Sequence, residues 1–149
     1  MPETVVVDAS LAVMWAMPEA YSVQALSLAE RWARTETSLL APCLIISEIT
    51  NALYKRVVRR EIDLATAREG LAVVFGFGIE IREEPNLSVQ AMKWAHRLRQ
   101  SSAYDGQYVA LAELRECPLW TGDRRLYQAA KPFVSWVHWV GQDKALSST

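Results

Sequence analysis

Short β-branched or apolar runs alternate with longer stretches of helical period along this chain, and that alternation narrows its fold more than anything else. Thr4 to Val7 reads as a strand, and so do Ser38 to Ala41, Ile79 to Arg82, Leu119 to Thr121 and Val134 to Val140. Between them the spacing predicts helices over Ser10–Met17, Ala20–Arg34, Cys43 to about Arg60, Asn86–Gln100, Asp105–Glu116 and Arg124–Ala130. A further helix starts at an Asp63 cap and runs to roughly Phe75, where Gly76 and Gly78 stop it. On the Ala20–Arg34 helix the expected inner face is Val23, Leu26, Ala29 and Ala33. Strand and helix in turn give an α/β chain with a mostly parallel sheet covered on both faces.

The 149 residues suit one domain, 1–149, with a frayed tail from about 142 to 149. The longest apolar run, Leu39 to Ile46, falls far short of the roughly 20 residues that span a bilayer. MPETVVVD has no basic, apolar leader pattern, so no membrane role and a cytoplasmic location are expected. Cys43 and Cys117 sit among apolar neighbours without metal-type spacing and read as small core residues.

Four acids stand out. Asp8 ends the first strand, Asp123 follows the fourth, Asp105 opens a helix, and Glu48 lies mid-helix on the stripe of Ile45, Ile49, Ala52 and Leu53. Aspartate is a good helix cap, so Asp8, Asp105 and Asp123 each admit a purely structural reading. Capping does not account for Glu48, more than a turn inside its helix; Asn51 at i+3 offers it a hydrogen bond but no charge, and pairing with a distant arginine is its structural alternative. The carboxyl edge of a parallel sheet is where such folds bind ligands.

If the four acids converge, each pair about 5 Å apart repels by about 3 kcal/mol at an effective dielectric of 20, and the six pairs together exceed the stability of a typical domain. Such a cluster takes up protons or a cation. Oxygen donors without Cys or His favour Mg²⁺ or Mn²⁺ over zinc. A divalent ion on two or three carboxylates, with positions left for water and substrate, is a device for phosphodiester hydrolysis. Ser10 and Thr121, each two residues from an aspartate, offer hydroxyls to orient a carboxylate or water, or merely turn hydrogen bonds. The net charge of −1 does not announce a nucleic-acid binder, although covering four acids leaves 16 cationic against 13 acidic groups.

VVVDAS, LIISEITNALYK and SSAYDGQYVALAELRECPLWTGDRRL together resemble a PIN domain, most closely the VapC-type toxins of toxin–antitoxin modules. The resemblance implies a three-layer α/β/α sandwich with Asp8, Glu48, Asp105 and Asp123 around Mg²⁺ or Mn²⁺. It implies Ser10 and Thr121 as supporting groups, RNA of the translation machinery as substrate, a homodimer, and a cognate antitoxin. Gly106 departs from the pattern, where Ala is commoner, a change expected to be tolerated near the first helical turn.

Arg124 and Arg125 follow Asp123 and are candidate phosphate contacts at the rim, or else solvated helix-start residues. Lys55, Arg56, Arg59 and Arg60 read mainly as a solvent face. Trp94 and Trp120 are expected in the core, whereas Trp15 and Trp32 are candidates for lining a partner groove. A catalytically silent PIN-like module that binds RNA or protein is the alternative function. A phosphotransfer receiver or Asp-nucleophile phosphatase is disfavoured, because Asp8 leads into Ala-Ser-Leu and not into a second acid.

Overall fold

A computed structural model describes residues 2–142. The expected tail lies outside the described residues from 143 onward, and Gln142 itself is tied to Trp139 by two hydrogen bonds.

The elements run β1 (Thr4–Val7), α1 (Ala9–Val13), α2 (Ser22–Arg34), β2 (Ser38–Ala41), α3 (Leu44–Val58), α4 (Leu64–Phe75), β3 (Glu80–Ile81), α5 (Leu87–Arg97), α6 (Tyr104–Leu114), β4 (Leu119–Thr121), α7 (Arg124–Ala130) and β5 (Val137–Trp139). All strand pairs are parallel, in the order β3-β2-β1-β4-β5. Successive residues on a strand face opposite sides, yet Val5, Val6 and Val7 are all buried, so helices cover both faces of the sheet. This is the α/β sandwich expected from the alternation of elements.

The order of strands matters for function. From β1 the chain builds outward to β2 and β3 on one side, then crosses back to lay β4 and β5 on the other. Between β1 and β4 the two progressions diverge, and at the carboxyl ends of these strands a crevice opens. Asp8 and Asp123 follow these two strands.

Several local expectations need correction. The inner face of α2 is Ala25, Leu28, Ala29 and Trp32, while Val23 and Leu26 are exposed at 71% and 44%. Two stripes of helical spacing compete on this alanine-rich segment, and the one carrying the larger Trp32 surface is buried. Trp15 is buried as well, its Nε1–H donating to the Ala25 carbonyl at 3.0 Å, so Trp15 and Trp32 both belong to the core. Cys43 is exposed at the start of α3, and only Cys117 is buried. The last strand is confined to Val137–Trp139 because residues 134–136 lie before its pairing with β4 begins.

Gly106 is not a tolerated departure but a requirement. A Cβ there would stand 2.2 Å from the Ala91 carbonyl oxygen, so α5 and α6 approach as closely as they do only because residue 106 has no side chain.

Candidate active site

Asp8 and Thr121 are the polar side chains that the core buries among the described residues, and they bury each other's polarity. The register that sets Val7 beside Trp120 brings Thr121 alongside Asp8, and the Thr121 hydroxyl donates to Asp8 Oδ2. Asp8 Oδ1 accepts from the Leu11 amide at 3.0 Å, capping α1, and from Ser10 Oγ at 2.7 Å. Ser10 Oγ in turn accepts from the Gly122 amide at 2.9 Å, and Thr121 Oγ1 accepts from the Asp123 amide at 2.9 Å. Any Cβ on Gly122 would meet the Ser10 backbone at 2.9 Å, so glycine lets the end of β4 close against α1. Sequence reasoning did not single out Gly122; its only signal is its place between Thr121 and Asp123.

An ionised carboxylate offers about four lone-pair sites, and Asp8 has three of them filled. One site on Oδ2 remains. Burial pushes the Asp8 carboxyl up to about 6, against the pull of Thr121, Leu11 and Ser10, with the Asp105 charge adding to the rise. The protein thus orients this group as an anion and makes that anion costly.

Glu48 projects from α3 and is half-buried beside Ile45 and Ile49. Its neighbour is not an arginine but a phenol: Tyr108, itself 1% exposed, donates its hydroxyl to Glu48 Oε1 at 2.5 Å. Burial raises the Glu48 pKa, the Tyr108 bond opposes that rise, and Asp105 adds to it. Asn51 lines the crevice, but the Glu48 bond goes to Tyr108. Tyr108 escaped the sequence reading. The available signal was its position three residues after Asp105, on the same side of one helix.

Asp105 lies in the first turn of α6 but does not cap it; Ala103 occupies that place without a side-chain bond. Burial, then the Asp123 charge, raises its pKa, and Asp105 in turn raises Asp8 and Glu48. All four acids therefore lie within electrostatic reach of one centre, Asp105. Asp123 caps α7 by accepting from the Arg125 amide at 2.9 Å. The capping reading thus fits Asp8 and Asp123, fails for Asp105, and leaves Glu48 untouched.

Among the described residues no Lys or Arg pairs with any of the four carboxylates; the ion pairs there involve Glu19, Glu61, Glu80 and Glu84. Arg124 instead lies over the Trp139 ring at 5.5 Å, and neither it nor Arg125 lines the crevice. Among the described residues no three His, Cys, Asp or Glu side chains are gathered into a ready-made metal site. Mg²⁺ does not require one, since it is usually held by one or two carboxylates with water and substrate phosphate. The donor set fits such an ion: oxygens only, with, among the described residues, a spare site on Asp8 and at least one oxygen without a hydrogen-bond partner on each of Glu48, Asp105 and Asp123.

Among the described residues no helix is long and apolar enough to cross a membrane. Residues 6–133 match the family model described as PIN domain. Among solved structures, the crystal structure of PAE2754 from Pyrobaculum aerophilum is similar over 100% of both chains, with a TM-score of 0.69 and 25% sequence identity. No curated protein matches the chain.

Proposed function

Since this chain belongs to the PIN domain family, generally a nuclease fold, we propose that it is a metal-dependent endoribonuclease acting as the toxin of a toxin–antitoxin pair. One observation supports the nuclease reading: Asp8 and Asp123 follow the two strands at the switch point of the sheet, the Asp105 charge acts on Asp8 and Glu48 and the Asp123 charge on Asp105, and among the described residues no cation pairs with any of the four. The crowding suits Mg²⁺ or Mn²⁺, which supplies Lewis acidity to the phosphodiester and makes the attacking water more acidic. Asp8, Glu48, Asp105 and Asp123 would hold the ion.

The remaining work belongs to residues of the chain. Ser10, Thr121 and the Leu11 amide fix the Asp8 carboxylate so that only one lone-pair direction of Oδ2 faces outward. Tyr108 fixes Glu48 in the same manner through one oxygen and leaves the other turned elsewhere. Such fixed donors need no rearrangement when charge builds on the phosphate, which is where preorganised sites gain their advantage. RNA of the translation machinery as substrate, a cognate antitoxin, a homodimer and a cytoplasmic setting are part of the same proposal, supported by the sequence resemblance to VapC-type toxins.

The test is incubation of the purified protein with total tRNA and Mg²⁺. Cleavage that disappears with chelator and in Asp8→Asn supports the reading, and an Asp8→Asn protein that cuts as well as the parent refutes it. A catalytically silent binding module is the second reading, in which Asp8 and Asp123 serve as the helix caps that they form. It predicts RNA or protein binding that neither chelator nor carboxylate removal alters, and no product.

A further inference from the structure

The crevice does not end at the acids. It continues along α3 as a groove of about 700 Å³, lined by Ser10, Glu48 and Asp123 and, further along, by Lys55 and Arg59. We infer that this groove is a track for a single-stranded nucleic-acid backbone, in which Lys55 and Arg59 bind phosphates beyond the one held at the acids. The inference rests on the nuclease reading above and adds to it where the substrate lies and in which direction it leaves.

Helical geometry supplies the alignment. Lys55 and Arg59 follow Glu48 by seven and eleven residues. At 1.5 Å and 100° per residue they stand about 10 and about 16 Å along the axis, each within about 20° of Glu48 around it. Three charged groups thus form one ridge along the groove, one acid followed by two bases. At those separations neither base reaches a phosphodiester engaged at Glu48, so each is placed for a later phosphate.

Charge bookkeeping within the groove separates these two bases from their neighbour. Arg56 also lines the groove, but it is already paired with Glu19 at 3.3 Å and Glu61 at 3.9 Å. Lys55 and Arg59 enter no ion pair among the described residues. Lys55 stands exposed in the last turn of α3 and Arg59 at its C-cap, still in helical conformation, and the pairing of Arg56 consumes the nearby Glu19 and Glu61 that would otherwise neutralise them. A polymer with an anion at every link complements two bases in line, and a basic groove leading into an active centre is the usual way to hold a single strand. Phosphate contacts of this kind fix register and carry no base preference.

The experiment measures binding of a short labelled single-stranded RNA in EDTA, over a range of salt concentrations. The double variant Lys55→Gln/Arg59→Gln is compared with the parent and with Arg34→Gln/Arg68→Gln, which removes equal charge at exposed positions outside the groove. The groove variant should bind on the order of tenfold more weakly, alike for different base sequences, and the slope of log affinity against log salt should shrink by about 1.4, from about 0.7 per lost phosphate contact. The control pair should leave both unchanged. An unchanged slope in the groove variant, or equal loss in the control pair, overturns the inference. So does an acidic peptide that binds the parent as tightly as the RNA does, because the groove would then receive protein. Failure of the nuclease reading looks different: parent and Asp8→Asn would cleave alike while the salt slope still responded to Lys55 and Arg59. A parent that binds no RNA overturns the inference and leaves the nuclease reading to the cleavage assay.

Discussion

Asp8 and Glu48 both feel the charge of Asp105, but the chain secures them by opposite means. Asp8 sits at a strand end, almost fully buried, with three hydrogen bonds on its two oxygens. Glu48 rides on the side of a long helix, half exposed, with one bond from the hydroxyl of Tyr108. At the strand end backbone amides and neighbouring hydroxyls are at hand, whereas a mid-helix position has spent its amides on the helix itself. The helix must therefore borrow a partner from another element. Asp8 teaches that a helix cap can also be a candidate site residue; Glu48 shows that a charge on a buried stripe needs a partner from far along the chain.

Breaking the comparison at its strongest point should have the largest effect. Asp8→Asn or Asp105→Asn should lower metal-dependent RNA cleavage by about 10²-fold or more, measured as single-turnover rates, since each removes a charge aimed at the reacting phosphate. Both variants should remain folded.

The same Asp8 change should have the opposite sign on stability. The folded carboxyl titrates at about 6 against an ordinary value of 3.8, so between those values the folded chain holds the extra proton and its stability falls as pH rises. Over the whole window that loss is about 3 kcal/mol. Urea unfolding of the metal-free protein at pH 7 should therefore show Asp8→Asn to be about 2 kcal/mol more stable than the parent, with a flatter dependence on pH. A purely structural cap would instead lose about 1 kcal/mol.

Gly106→Ala serves as a counterweight away from the acids. It forces α5 and α6 apart and should cost about 1–3 kcal/mol in the same unfolding measurement. Tyr108→Phe sharpens the other half of the comparison: Glu48 loses its hydrogen bond but no packing volume. Stability should change by about 1 kcal/mol or less, while the Mn²⁺ affinity measured by calorimetry falls several-fold. Ser10→Ala should do least, because Leu11 and Thr121 still hold Asp8; a cleavage rate within a few-fold of the parent is expected.

Much of this was legible in the sequence, and where it was not the cause is distance along the chain. β1, β2, β4 and α7 carry local signals in their β-branched runs, in Pro118 and in Asp123, and the expected bounds coincide with the observed ones. The Asp63 cap, which accepts from the Thr66 amide at 2.8 Å, was equally local. Which stripe of α2 faces inward depends on where Trp15 and Trp120 lie, and no spacing rule holds that information. The same is true of the site. Asp8, Asp105, Asp123 and Glu48 betray themselves by context, while the Tyr108 bond, 60 positions from Glu48, and the close contact of Gly106 with Ala91 appear only once the helices are assembled. Lys55 and Arg59 read as solvent residues because their cations are exposed; only the groove beside them gives the exposure a purpose.

The central claim is that these carboxylates are too crowded to coexist as anions without a doubly charged partner, and calorimetric titration of Mn²⁺ at pH 6 tests it most directly. Near that pH the Asp8 carboxyl is about half protonated, so ion binding should be accompanied by measurable proton release, seen as a dependence of the heat on the buffer, and Asp8→Asn should reduce that dependence. Absence of Mn²⁺ binding by the folded parent, or binding that Asp8→Asn and Asp105→Asn leave unchanged, would contradict the account.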